Sequence, residues 1–217
     1  MPVYVRQLPL GPMKNFVYLV GDSASAEVVV VDPAWDVDAI EAAARADGKR
    51  ISAVFASHCH GDHINGLPEL LARHDLPVYV QEAEVDFSTD LRELGDALRP
   101  LADGAAFEVG TARFKSLHTP GHTPGSQCLW AGDALVSGDT VFVNGCGRCD
   151  FPGSDPAAMH RTLTQVLRPL PDETRLFPGH DYGDVKVSSL GREREQNPYF
   201  QLPELADFVR YRMRPRV

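Results

Sequence analysis

Short apolar runs bounded by Gly, Pro or Asp recur along the chain. The runs are rich in β-branched and aromatic residues, which is typical of strands. They predict strands at NFVYLVG, EVVVVD, ISAVFAS, PVYVQ, ARFKSLHT, SQCLWA, DALVSGD and TRLFPGH.

Apolar residues at helical spacing lie between several of these runs. They predict helices at DVDAIEAAARADG, LPELLARHD and DPAAMHRTLTQVLRPL, and the Asp that opens the first and the last is a typical N-cap. Strands and helices are interleaved along the whole sequence, without internal repeats or a linker. We therefore expect an α/β (α+β) fold in one domain over residues 1–217, with a short helical C-terminal extension at about 184–217.

Metal-binding residue types follow directly after four of the predicted strands. His58 comes after VFAS, His122 after LHTP, Asp139 after LVSG and His180 after RLFP. Loops that a rigid sheet positions are where binding and catalytic residues are usually found. We expect these side chains to gather at one edge of a sheet.

Residues 58–63 have the densest pattern, H-x-H-x-D-H. In an extended or turning segment His58 and His60 project to the same side and can reach one ion, while a turn at Gly61 lets Asp62 and His63 face a second ion. Zinc binds such nitrogen and oxygen ligands at about 2.0–2.2 Å. The histidines without such a context are expected at the surface or in packing contacts: His74, His118 and His160.

Composition narrows the classes of partner. The formal net charge is −9, which disfavours nucleic acid because phosphate binding relies on clustered Lys and Arg. No apolar run approaches the roughly 18 residues that a membrane span needs. The N-terminus lacks a charged leader followed by a long apolar block, so we expect a cytoplasmic protein.

The four cysteines do not predict a disulfide framework, because the sequence shows no export signal. Cys146 and Cys149 form a single C-x-x-C among glycines. A redox pair of this kind would open a helix after a strand. A structural role is therefore the expectation for both residues.

These motifs resemble the metallo-β-lactamase superfamily, and within it the short single-domain type of the glyoxalase II (hydroxyacylglutathione hydrolase) branch. The segments that carry the resemblance are GPMKNFVYLVGD, VVVVDPAWD, SHCHGDH, HTPGHTPGS, SGDTVF, GCGRCDFPG and FPGHDYG. The resemblance implies a four-layer αββα sandwich with metals at one edge between two sheets. It also implies that His58, His60 and His122 hold one metal, that Asp62, His63 and His180 hold a second, and that Asp139 bridges both.

A thiolester hydrolase is the activity that the resemblance implies. Two divalent metal ions, with zinc expected and iron also compatible, would hold a hydroxide nucleophile, and Asp62 would orient the water or accept its proton. The substrate would be a small-molecule thiolester or glutathione conjugate. A homodimer is compatible with the sequence.

Two alternatives stay open at this point. Persulfide dioxygenases share the fold and the H-x-H-x-D-H motif, but use one Fe²⁺ held by the counterparts of His58, His122 and Asp139. CDFPGSD and PGHDYG favour the hydrolase. A non-catalytic metal-binding protein is the alternative from another class, and the completeness of the ligand set disfavours it.

Substrate contacts are less well defined by the sequence. Only residues 181–217 follow His180, whereas full-length glyoxalase II enzymes carry a longer helical region that helps bind glutathione. Arg148 and Tyr182 are the candidate substrate-binding residues, and Lys186 and Arg192 are weaker candidates. Arg148 could pair with an anionic substrate, or it could brace its loop through Asp150.

Overall fold

Two six-stranded sheets form the centre of the computed structural model, which describes residues 3–214. The first sheet contains, in spatial order, β1 (Val3–Leu10), β2 (Asn15–Asp22), β3 (Glu27–Val31), β4 (Arg50–Phe55), β5 (Val78–Gln81) and β6 (Leu98–Leu101). Its first three strands pair antiparallel, and the neighbours from β3 to β6 run parallel.

The second sheet is mostly antiparallel. Its strands are β7 (Ala106–Val109), β8 (Ala112–His118), β9 (Gln127–Ala131), β10 (Ala134–Gly138), β13 (Arg175–Pro178) and β14 (Ser188–Ser189), in the spatial order β14-β13-β10-β9-β8-β7. Only β10 and β13 pair in parallel within it. A separate two-stranded ribbon is formed by β11 (Val141–Phe142) and β12 (Gly145–Cys146).

Helices cover the outer faces of the sheets. They are α1 (Val37–Ala46), α2 (Gly61–Ile64), α3 (Leu67–Arg73), α4 (Glu82–Phe87), α5 (Thr89–Arg92), α6 (Pro156–Arg161), α7 (Leu190–Gln196) and α8 (Leu205–Arg212). Asp36 and Asp155 cap α1 and α6 as predicted, since each carboxylate accepts a backbone N–H of the first turn.

The core consists of three apolar layers. Phe16 and Phe55 of the first sheet and Phe107 and Phe114 of the second belong to the layer between the sheets, and the Phe55 and Phe107 rings stack at 6.2 Å. A second layer joins the first sheet to α1 and α3, and a third joins the second sheet to α6 and α8. The predicted four-layer αββα sandwich is therefore confirmed.

Both faces of β2 are buried, which explains its nearly continuous apolar sequence. Phe16 faces the other sheet, and Val17 faces the helices. Each large side chain buried in this way contributes about 1.5–3 kcal/mol.

The predicted strands are all present, but β1, β6, β7 and the two-residue strands β11, β12 and β14 were not predicted. Pro9 lies in β1 and Pro100 in β6, and proline within an apolar run argues against a central strand. Both strands lie at the edges of the first sheet, where a missing N–H donor is tolerated. The third predicted helix divides into α6 and a π-helical turn at Thr162–Leu167.

The C-terminal extension is helical only in part. It begins with β14, which adds to the edge of the second sheet, and continues with α7 and α8. Phe208 of α8 is buried against His160 of α6, with ring centroids 5.3 Å apart. Residues 215–217 of the predicted extension lie outside the described residues. Within residues 3–214, no helix combines the length and the apolar character that a bilayer span requires.

Candidate metal centre

The strand ends bring the predicted ligands together at one edge of the sandwich. His58 follows β4 of the first sheet, whereas Asp139 follows β10 and His180 follows β13 of the second. His122 lies in the loop between β8 and β9. A hydrogen bond joins the two sheets here. The backbone N–H of Gln127, the first residue of β9, donates to the carbonyl of Ser57 after β4 at 2.9 Å.

A first group of possible ligands consists of His58, His60 and His122. One ring nitrogen of each lies within 4.8 Å of the others. The Nε2 atoms of His58 and His122 are buried and have no hydrogen-bond partner among residues 3–214. Two buried nitrogens without partners, facing a third imidazole, fit a metal ion, because buried polar atoms are otherwise almost always hydrogen-bonded.

The other ring nitrogens of this group are held from behind. His122 Nδ1 donates to the Arg148 carbonyl at 2.8 Å, and His58 Nδ1 lies 2.9 Å from Ser57 Oγ. Such outer contacts fix the tautomer and the ring orientation of a metal-binding histidine. They leave Nε2 of both rings available to an ion bound between the three imidazoles.

A second group consists of Asp62, His63 and His180, whose ligand atoms also lie within 4.8 Å of one another. His63 Nε2 is 3.2 Å from His180 Nε2, and Asp62 Oδ2 is 3.4 Å from His180 Nε2. His180 Nδ1 donates to the Met13 carbonyl at 3.0 Å. The two Nε2 atoms thus face each other across a space that a cation would fill.

Asp139 lies between the two groups. Its Oδ1 is 3.3 Å from His63 Nε2 and 3.4 Å from His180 Nε2, and its Oδ2 is 3.5 Å from His122 Nε2. A side chain at Gly179 would approach Asp139 Oδ1 to 2.4 Å. Position 179 must therefore be glycine for this oxygen to occupy its observed position. The carboxylate can therefore contact ions in both groups.

The first group is suited to bind metal in its neutral form. Burial lowers the pKa of His58 well below its usual value, and the neighbouring His63 and His122 lower it further. Burial and His122 also lower the pKa of His60, to about 4. Neutral imidazole is the form that coordinates metal, so no proton needs to leave these rings.

Opposite charges in and beside the second group shift each other's pKa values. Burial opposes the charge of His63, but Asp139 and Asp32 outweigh it and raise its pKa well above the usual value. Burial likewise opposes the charge of Asp139, yet His63 and His180 hold its pKa well below the usual value. A metal ion bound here would replace the proton of His63 as the positive charge beside Asp139.

Asp32 supports the site and was not among the sequence candidates. It is buried, with Oδ2 2.9 Å from His63 Nδ1 and Oδ1 accepting the Ser57 N–H at 2.6 Å. Its φ of 52° is a left-handed conformation that non-glycine residues rarely adopt. It follows β3, so the strand-end rule that selected His58 and Asp139 also applies to it.

A cavity of about 750 Å³ opens onto both groups. Phe142, Phe151 and Tyr182 are among the residues that line it. Tyr182 stacks on the His180 ring at 4.6 Å. The opening therefore has apolar and aromatic walls beside the ligands.

Arg148 also lines the cavity, and the structure shows the bracing contact. Its guanidinium donates two hydrogen bonds to Asp150, at 2.8 and 2.7 Å, and lies 4.0 Å from the centroid of the Phe151 ring. Lys186 and Arg192, the weaker candidates, are not among the lining residues, and Arg192 pairs with Asp184 at 2.7 Å.

The remaining histidines and the C-x-x-C pair lie outside both groups. His74 pairs with Glu41, His118 donates to the Pro124 carbonyl, and His160 contacts backbone carbonyls near residue 203. Cys146 and Cys149 are buried in the apolar layer under the second sheet, without a disulfide. Burial raises the pKa of Cys149 to about 11, which disfavours a reactive thiolate.

Fold and site together define an αββα protein with a histidine- and aspartate-rich centre at the edge of its two sheets. Residues 10–180 match the Metallo-beta-lactamase superfamily, and the chain belongs to that family.

Several relatives are similar over most of their length. The probable polyketide biosynthesis zinc-dependent hydrolase BaeB of Bacillus velezensis is 32% identical over 200 residues, which cover 92% of this chain and 88% of that protein. A hydroxyacylglutathione hydrolase of Alkalilimnicola ehrlichii is 37% identical over 206 residues, covering 94% and 76%.

A solved structure is similar over nearly the whole chain. ETHE1 from Myxococcus xanthus superposes with a TM-score of 0.86 at 31% identity, covering 98% of this chain and 92% of that one. With the two ligand groups, the family match and the similarity to the two hydrolases place the chain among the metal-dependent hydrolases of the superfamily.

Proposed function

We propose that this protein hydrolyses thiolesters at a centre for two divalent metal ions, with zinc as the expected metal. The observation that carries the proposal is the position of Asp139, whose two oxygens face the two ligand groups. Two bound cations would supply a hydroxide nucleophile at neutral pH and polarise the carbonyl that it attacks.

The protein's own residues have distinct tasks in this proposal. The first ion would be held by His58, His60 and His122, and the second by Asp62, His63 and His180. Asp62 Oδ2 accepts a hydrogen bond from Asn15 Nδ2 at 2.9 Å, which fixes the carboxylate in the wall of the cavity. From there Asp62 would orient the attacking water and accept its proton.

The cavity is compatible with a small-molecule thiolester. Phe142, Phe151 and Tyr182 would contact the acyl group or the uncharged part of the thiol. Arg148 would meet a carboxylate of the thiol only in competition with Asp150, so a glutathione conjugate is one candidate and not a requirement. We assign Arg148 and Tyr182 as the substrate-binding residues on their positions in the cavity wall.

Matched thiolesters test this proposal. Lactoyl thiolesters of glutathione and of N-acetylcysteamine share one acyl group and differ in the charge of the thiol. The metal-loaded protein should hydrolyse at least one of them, and removal of metal by a chelator should abolish turnover, which zinc should restore. A metal-loaded protein that hydrolyses neither compound would contradict the proposal. Turnover that survives complete metal removal would also contradict it.

A persulfide dioxygenase is the second candidate function. ETHE1, whose structure matches 98% of this chain, is a persulfide dioxygenase. One Fe²⁺ would then be held by His58, His122 and Asp139, a two-histidine, one-carboxylate set. His122 Nε2 lies 3.5 Å from Asp139 Oδ2. Oxygen consumption with glutathione persulfide, absent with thiolesters, would favour this candidate.

A further inference from the structure

The carboxyl group of Glu84 is buried between the loops that carry the first ligand group. Glu84 lies in α4, and its side chain is 0% exposed. Its Oε1 accepts the Cys59 N–H at 2.7 Å. Its Oε2 accepts the Thr123 hydroxyl at 2.8 Å and the Gly125 N–H at 2.7 Å.

The donors to Glu84 are the immediate neighbours of the histidines. Cys59 stands between His58 and His60, and Thr123 follows His122. One loop comes from the first sheet and the other from the second. A single carboxyl group thus joins the two segments that supply all three nitrogens of the first group.

Close packing keeps Glu84 in this place. A side chain at Gly125 would approach the Glu84 backbone nitrogen to 2.1 Å and its Cβ to 2.5 Å. The start of α4 therefore lies directly against the His122 loop. Only a glycine at position 125 allows this approach.

We propose that Glu84 is a positioning residue, which sets the separation of the two histidine loops and thereby the affinity of the first metal. The inference rests on the proposed metal centre, but it does not depend on which reaction the centre performs. Glu84 does not touch the ligand atoms, and it acts through the backbone on both sides of them.

Glu84→Gln is the sharpest change, because it keeps the size of the side chain. An amide offers one oxygen and one NH₂ group, whereas Glu84 accepts N–H donors at both oxygens. In either orientation the NH₂ group would face a backbone N–H, of Cys59 or of Gly125. One loop would then lose its acceptor and move away from the other.

The chain should still fold in this variant. Gln127 joins the same two regions independently, because its side-chain Nε2 donates to the Ala56 carbonyl at 2.7 Å and its N–H to the Ser57 carbonyl. Thr123→Val is a milder second variant, which removes one donor and leaves both backbone contacts of Glu84 intact.

The test is a Zn²⁺ titration of protein labelled with ¹⁵N-histidine, in which the ring signals report each ligand group separately. Glu84→Gln should weaken zinc binding at His58, His60 and His122 by about 10–100-fold, which is typical for loss of an outer partner. The group of Asp62, His63 and His180 should change by less than about threefold. Thr123→Val should change the first group in the same direction by a smaller factor.

Glu82→Gln is the matched control, since Glu82 is exposed on the same helix. It should bind zinc like the parent at both groups. Unchanged binding in Glu84→Gln, or an equal loss at both groups, would overturn the positioning role. Should Glu84→Gln fail to fold, unchanged binding at the first group in Thr123→Val would overturn it. A parent that binds no zinc would instead reject the metal centre itself.

Discussion

At the scale of single residues, Asp139 links the two halves of the proposed centre. Its two oxygens approach ring nitrogens of histidines in both groups. Asp139→Ala should remove at least one metal and reduce activity by more than the roughly 10–100-fold that loss of an outer partner causes. Two cations without a shared carboxylate would repel each other at short range.

The measurement for Asp139 is metal content per chain together with the hydrolysis rate. Asp139→Asn is the matched variant, because it keeps the shape and removes the charge, and it should also lose metal. Full metal content with near-normal turnover in both variants would show that the carboxylate does not bridge the groups.

The sequence reveals most of these residues because a simple physical rule places them. His58, Asp139 and His180 each follow an apolar run, and the ends of strands in a sandwich meet at one edge. Asp32 obeys the same rule. Glu84 could not be found in this way, because its partners Cys59 and Gly125 come near it only through the packing of α4.

At the scale of elements, α7 anchors the C-terminal extension to the wall of the cavity. Glu193 of α7 is 0% exposed and accepts hydrogen bonds from the Asn144 N–H at 2.7 Å, from Asn197 Nδ2 at 3.0 Å and from the Ser188 hydroxyl. Asn144 lies in the turn between β11 and β12, with a φ of 58°. The extension therefore supports the loop that lines the site.

Glu193→Gln should lower the free energy of unfolding by about 1–3 kcal/mol, since at least one buried donor loses its acceptor. Urea unfolding of the metal-free protein measures this directly. Glu195→Gln, on the exposed face of the same helix, should stay within about 0.5 kcal/mol of the parent. Equal stability of both variants would mean that α7 is not held by this carboxyl group.

Elements with strong periodic patterns were predictable, and those defined by their neighbours were not. Buried strands such as β2 and β3 have sequences that fit only the interior of a sandwich. Short strands such as β11 and β14 comprise two residues each and gain their pairing from the surrounding fold. The ribbon next to the metal centre therefore could not be read from apolar periodicity.

At the scale of the whole molecule, metal binding should stabilise the fold. The ligand groups join loops from both sheets, so a bound ion favours the folded chain over the unfolded one. Free zinc at about 100 times its dissociation constant should add about 2.7 kcal/mol to the free energy of unfolding. For a chain of this size, each additional kcal/mol raises the melting temperature by about 2–4 °C.

Thermal unfolding with zinc and with a chelator measures this stabilisation. His74→Ala provides the control, because His74 is half-exposed, belongs to neither ligand group and contacts Glu41. That variant should show the same zinc-dependent shift as the parent. A melting temperature that zinc leaves unchanged in the parent would contradict coupling between the centre and the fold.

The proposed hydrolysis requires that the molecule holds two metal ions and uses both. His180 tests it most directly, because it belongs to the second group alone, and its Nε2 lies 3.2 Å from that of His63. In a two-metal hydrolase its loss removes a ligand of the second ion. In a one-iron dioxygenase it would only tune the neighbouring residues, with an effect of about 10–100-fold.

The decisive measurement is metal content per chain in the parent and in His180→Ala, alongside thiolester hydrolysis and persulfide-dependent oxygen consumption. We predict close to two metals in the parent and close to one in the variant. Thiolester turnover should collapse in the variant, and neither protein should consume oxygen. One iron per chain in the parent, with oxygen consumption on persulfide and no thiolester turnover, would contradict the two-metal hydrolase.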